Sequence, residues 1–139
     1  MPAGIELLVW WPESSTSTDA SRRVLPDAVP LADAAFSIAR AAMWVAAVAQ
    51  GDLGLLREAS QDRVHQPGRL AARPDTAAVL EHLLGDESVL AAWLSGSGPT
   101  VAALVPADAD TSGLAAGLPS AGRTRRLAVA PNGVRVVNP

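Results

Sequence analysis

The hydrophobic positions fall into runs whose period changes along the chain. Residues 4–12, GIELLVWWP, are almost continuously apolar and close on a proline, which predicts a buried strand. The hydroxyl- and carboxylate-rich stretch ESSTSTDASRRVLP follows. It predicts a loop entering a short helical turn, with Thr16 or Thr18 as N-cap and Pro26 closing it. Residues 31–50 give the clearest helix. Asp33 lies in its first turn, where a negative charge suits the helix dipole, and Gly51 stops it. Its surface is so apolar that burial on more than one side is expected. A shorter helix is predicted over 52–62, broken at RVHQPGR by Pro67 and Gly68. Another spans 74–85, with proline at its start and glycine at its end. Strands are predicted over 88–95 and 100–105, then a short helix over 110–118 capped by Asp110 or Thr111. TRRLAVAP and GVRVV read as two closing strands joined by a PNG turn at 131–133.

Helices gathered between pairing strands define the expected fold class: α+β, a ferredoxin-like antiparallel sheet with helices on one face. The chain reads as a single domain, 1–139, without repeats.

Composition narrows the function classes. With 49% hydrophobic and 18% charged residues over 139 positions, the chain has enough apolar side chain for a real core. The net charge of −3 supplies no basic field, so neither nucleic acid nor an anionic membrane is an expected partner. Absence of cysteine excludes thiolate chemistry and suits a cytoplasmic location. No basic-then-apolar leader opens the sequence. The apolar run 34–49, interrupted by Ser37 and Arg40, is expected to fall short of a membrane span.

Three stretches could carry chemistry. In LSGSGPT, glycines can turn backbone amides toward one point and hold an anion, with hydroxyls from Ser95, Ser97 and Thr100. The same residues also suit a plain hairpin, and the pattern is not the GxxxxGK[ST] phosphate loop. DRVHQPGR, residues 62–69, sets a carboxylate, an imidazole and two guanidiniums at a helix end. It serves either as an anion clamp or as a polar terminus with His65 and Arg69 near the negative end of the dipole. Arg22 and Arg23 in TDASRRVLP are either an anion ligand or a solvated pair.

STDASRRVLP, DRVHQPGR and LSGSGPT, in this order and approximate spacing, together resemble the C-terminal half of homoserine kinases, members of the GHMP kinase superfamily. The resemblance runs from about Gly4 to Val137. It implies transfer of the γ-phosphoryl of ATP to L-homoserine with Mg2+, on the route to threonine. By that resemblance, Arg22 and Arg69 grip the substrate carboxylate, with His65 beside them. Ser95, Gly96, Ser97, Gly98 and Pro99 form a phosphate-site loop. No metal ligand and no catalytic residue is expected in this half. The nucleotide loop and the magnesium ligand belong to an N-terminal half that these residues do not contain, supplied in cis or in trans, so the chain alone is expected to be inactive. A homodimer is also expected as a possible assembly, as is an apolar surface left bare where the other half would sit. Three departures stand out: Ser21 replaces alanine, Ser37 replaces a common asparagine, and Gly68 replaces tyrosine, the last expected to loosen the segment carrying Arg69. Two other readings stay open: half of another GHMP small-molecule kinase, and a non-catalytic ferredoxin-like binding or assembly module.

Overall fold

The structure, a computed structural model, describes residues 3–14, 17–130 and 132. Its elements are β1 (Ile5–Pro12), α1 (Thr18–Arg23), α2 (Leu31–Gln50), a 3-10 turn (Leu53–Leu55) running into α3 (Leu56–Ala59), α4 (Gln66–Ala71), α5 (Pro74–Gly85), β2 (Ala91–Leu94), β3 (Val101–Pro106), α6 (Ser112–Ala116) and β4 (Gly122–Ala128). The four strands form one sheet in the order β2-β3-β1-β4, with every neighbouring pair antiparallel. This is the expected α+β, ferredoxin-like sheet.

Alternation along the strands divides the core between two faces. Leu8, Trp10, Val101, Ala103 and Val105 point to one face, where Val79, Leu80 and Leu83 of α5 and Leu114 of α6 cover them. Ile5, Leu104 and Ala91 point to the other, where Ala47 and Leu56 join Trp44 and Trp93. Those two indoles meet edge to face at 5.1 Å. The helices are therefore not confined to one face: α5 and α6 form the expected layer, and α2 and α3 add a partial second one.

Several local expectations are revised. Ser17, not Thr16 or Thr18, caps α1, its hydroxyl accepting from Ala20 N at 3.1 Å; Thr16 lies outside the described residues. Pro67 does not break a helix. It sits in the first turn of α4, where its missing N–H costs nothing. Strand β2 is shorter than predicted because Asp86 holds residues 86–89 in a turn: its carboxylate accepts from Ser88 N and its carbonyl from Val89 N. Gly68 does not loosen its segment. A Cβ there would come within 2.8 Å of the Val24 carbonyl, so glycine lets α4 close onto the end of α1. The PNG turn and the last predicted strand fall outside the described residues apart from Asn132.

Helix α2 departs most from expectation. Ala47 is its one buried residue, and Leu31, Ile38 and Val45 are 86%, 70% and 68% exposed. Its polar side chains face inward instead. Asp33 pairs with Arg63, Ser37 donates to Asp62, and Arg40 pairs with Glu58 at 2.9 Å. Arg40 and Arg63 also stack on the Phe36 ring. By length and composition alone the helix is apolar enough to cross a membrane, contrary to the expectation from Ser37 and Arg40.

Candidate functional site

The end of α1, the start of α4 and the loop between β2 and β3 converge at one end of the sheet. Asp62 organises the start of α4. Its Oδ2 accepts from the backbone N–H groups of Val64, His65 and Gln66 at 3.1, 2.7 and 2.8 Å, and its Oδ1 accepts from Ser37. One carboxylate thus serves the unpaired donors of a helix N-terminus. Burial pushes its pKa up, but the Gln66 and His65 amides, the His65 charge and the Val64 amide outweigh that. The net pKa lies below the ordinary 3.8.

Gln66 is 8% exposed and spans two elements. Its Oε1 accepts from Leu94 N at 2.8 Å, and its Nε2 donates to the Ser60 carbonyl at 3.3 Å. Since Leu94 ends β2, this amide fixes where the glycine loop begins.

Arg69 follows one turn later on α4. Its Nε donates to the Ser21 carbonyl at 3.4 Å, and its Nη1 to the Gly96 carbonyl at 2.8 Å. Nη1 also lies 3.3 Å from His65 Nδ1. A single guanidinium therefore ties α1 and α4 to the glycine loop, leaving Nη2 without a partner among the described residues.

The loop joins antiparallel strands, with Leu94 opposite Val101. Ser95 N donates to Thr100 O at 2.8 Å, and Gly98 N to Ser95 O at 3.1 Å. Gly96 and Gly98 have φ of 60° and 74°, which glycine adopts without strain, and the Gly98–Pro99 peptide is cis. The Gly96 and Ser97 amides donate to none of the described residues. Thr76 of α5, almost fully buried, donates to the Pro99 carbonyl at 3.5 Å.

Between these pieces lies a cavity of about 220 Å³, lined by Ala20, Ser21 and Val24, by Arg69, Ala72, Arg73 and Thr76, and by Leu94, Ser97, Gly98 and Pro99. Arg69 and three residues of the predicted loop thus share one cavity. Gly96 joins it through its carbonyl bond to Arg69, and Ser95 closes the loop. His65 touches Arg69 but lines a neighbouring cleft of about 320 Å³ with Asp62, Gln66, Trp44 and Trp93. Arg22 does not line the cavity; its side chain is largely exposed and pairs with Asp19 at 3.5 Å.

Sequence reasoning missed Gln66, Thr76 and Arg73. Gln66 and Thr76 owe their roles to partners 28 and 23 residues away, which no local pattern reveals. Arg73 was legible in principle. In Arg73-Pro74-Asp75 a guanidinium stands two residues before a carboxylate, and the pair closes at 3.0 and 2.8 Å, with Ser14 Oγ 3.3 Å from Nη2.

Residues 44–122, carrying α4, the glycine loop and the cavity wall apart from Ala20, Ser21 and Val24, match the family model described as GHMP kinases C terminal. The chain belongs to the GHMP kinase C-terminal family. Within that family it is similar to homoserine kinases. It is 42% identical over 106 residues to the homoserine kinase of Thermus thermophilus, covering 76% of this chain and 36% of that protein. It is 46% identical over 103 residues to that of Moorella thermoacetica, covering 74% and 34%. A crystal structure of the Cytophaga hutchinsonii homoserine kinase shares the fold, with a TM-score of 0.77 at 23% identity over 92% of this chain and 42% of that one. This GHMP kinase C-terminal domain spans about a third of the length of the curated relatives it matches.

Proposed function

We propose that this chain is the substrate-binding half of a homoserine kinase, which transfers the γ-phosphoryl of ATP to the hydroxyl of L-homoserine in cytoplasmic threonine biosynthesis. The observation that carries the reading is Arg69, held at the mouth of a small cavity by two carbonyls with one terminal nitrogen unengaged. Homoserine presents a carboxylate that a guanidinium can hold by charge-assisted hydrogen bonds. Phosphoryl transfer depends chiefly on positioning and charge neutralisation, so a fixed carboxylate leaves the hydroxyl aimed for in-line attack. The hydroxyl oxygen bonds the γ-phosphorus, the bond from that phosphorus to the bridging oxygen breaks to release ADP, and the hydroxyl proton passes to solvent.

The glycine loop fits an anionic ligand. The unengaged amides of Gly96 and Ser97 and the Ser97 hydroxyl lie beside Arg69, and the two positive-φ glycines turn the backbone there. ATP, when bound, supplies the phosphoryl group, and these residues would neutralise part of its charge. Magnesium does not fit in the same way. Among the described residues no group of three or more His, Cys, Asp or Glu side chains could hold a metal ion. The remaining machinery is assigned to an N-terminal half.

The test is kinetic. The chain is combined with the N-terminal half of the Thermus thermophilus homoserine kinase and assayed with ATP and L-homoserine. Arg69→Ala is expected to raise KM for homoserine by roughly 2–5 kcal/mol of lost binding while leaving KM for ATP nearly unchanged. Arg22→Ala is expected to act in the same direction, its exposed side chain turning inward when substrate arrives. Wild-type KM for homoserine in both variants contradicts the assignment.

A further inference from the structure

The aim of the Arg69 guanidinium depends on which of its N–H groups are already engaged. Nε is directed at the Ser21 carbonyl at 3.4 Å, and one Nη1 hydrogen at the Gly96 carbonyl at 2.8 Å. Among the described residues the other Nη1 hydrogen has a single acceptor, His65 Nδ1 at 3.3 Å. A guanidinium only donates, so this contact requires a bare lone pair on Nδ1 and puts the imidazole proton on Nε2. Asp62 Oδ2 lies 3.9 Å from Nε2, too far for a hydrogen bond but near enough for its charge to favour a proton there. The imidazole is also fixed through its own backbone. His65 N donates to Asp62 Oδ2 at 2.7 Å, and His65 is the N-cap residue of α4, one turn before Arg69, the spacing at which helical side chains meet.

We infer, resting on the assignment of Arg69 to the homoserine carboxylate, that His65 is a positioning residue: its Nδ1 accepts from Arg69 Nη1 and so keeps the Nη2 hydrogens turned toward the substrate, which His65 itself does not touch. The imidazole lines the cleft of Trp44 and Trp93 and not the cavity of Arg69, so it reaches the guanidinium without entering the space the ligand would fill. Without that acceptor the guanidinium keeps one short bond, to Gly96, and one long bond, to Ser21, and loses its restraint against turning. The carboxylate would then meet a mobile cation in place of a fixed one, and ordering it on binding costs affinity.

A double-mutant cycle tests this, in the chain combined with the N-terminal half of a homoserine kinase. His65→Leu, which keeps bulk and removes the acceptor, should raise KM for homoserine about tenfold and leave KM for ATP unchanged. His65→Asn, whose Oδ1 stands near the place of Nδ1, should stay within about threefold of wild type. In an Arg69→Ala background His65→Leu should add nothing, because a residue that acts only through Arg69 has nothing left to position. A further loss in that background, or rescue by His65→Gln but not by His65→Asn, would make His65 a direct substrate contact and overturn the inference. A wild-type KM in His65→Leu beside a raised one in Arg69→Ala overturns it alone; a wild-type KM in Arg69→Ala overturns the carboxylate assignment as well. The chain by itself gives a readout that needs no activity. Nitrogen NMR of histidine-labelled protein should show His65, identified by its loss in His65→Asn, with its proton on Nε2. An Nδ1–H tautomer, which cannot accept from Arg69, overturns the inference.

Discussion

Replacing Gln66 by leucine should be among the most damaging single changes to the site, although it alters no charge. Leucine keeps the volume but has no acceptor for Leu94 N–H, a buried donor now bonded at 2.8 Å, and no donor for the Ser60 carbonyl at 3.3 Å. Stranding a buried donor costs about 1–3 kcal/mol, and losing the longer, half-buried bond adds about 0.5–1. The sum is close to 3 kcal/mol. The chain carries four tryptophans, and Trp44 and Trp93 line the cleft beside Gln66, so urea unfolding is readable by fluorescence. With a slope of about 2 kcal/mol/M, the midpoint should fall by about 1.5 M with the slope unchanged. Gln66→Glu sharpens the reasoning. It retains an acceptor for Leu94 but sets a buried carboxylate against the Ser60 carbonyl, raising that carboxyl's folded pKa. Its stability relative to wild type should therefore be better below about pH 4.3 and worsen as pH rises through the raised value. A leucine variant within about 0.3 M of the wild-type midpoint would refute the claim that this amide holds the loop.

Two further perturbations probe the same region and the sheet. Asp62 titrates below 3.8 when folded, so its contribution is present above the unfolded value and lost as pH falls through the folded one; the stability gap between wild type and Asp62→Asn should hold steady near neutrality and shrink below about pH 4, and a gap that widens in acid contradicts the capping role. At Gly122, an added Cβ would lie 2.3 Å from Nε1 of the buried Trp10 ring. Gly122→Ala should thus cost about 1–3 kcal/mol of overpacking in thermal unfolding, and an unchanged Tm would show that the indole moves freely.

The strands and α5 were legible because their apolar runs and end residues agree with one another: near-continuous apolar stretches in β1 and β3, a proline-to-glycine frame around α5. The glycine loop was legible as a turn because only glycine meets positive φ at positions 96 and 98 cheaply. The reading of α2 went wrong for a physical reason. Hydrophobicity reports what a helix could bury, whereas the facing of α2 was settled by ion pairs and hydrogen bonds to residues 58–63, which carry no sequence period. Pro67 misled in a related way. Proline marks a break or a start with equal force, and the deciding residue was Asp62, capping from outside the helix. Arg69 was visible as a cation near a helix end. Its link to Gly96 became visible only once the fold brought positions 27 residues apart into contact.

The central claim is that this domain binds homoserine for phosphorylation and needs an N-terminal half to act. The most direct measurement is a coupled ATP-consumption assay on the purified chain, alone and copurified with the N-terminal half of a homoserine kinase, offered L-homoserine, mevalonate or galactose in turn. The account predicts turnover with L-homoserine in the complex, little with the other two, and none by the chain alone. A complex that phosphorylates mevalonate or the sugar in preference to L-homoserine, or a lone chain that turns over homoserine, would contradict it.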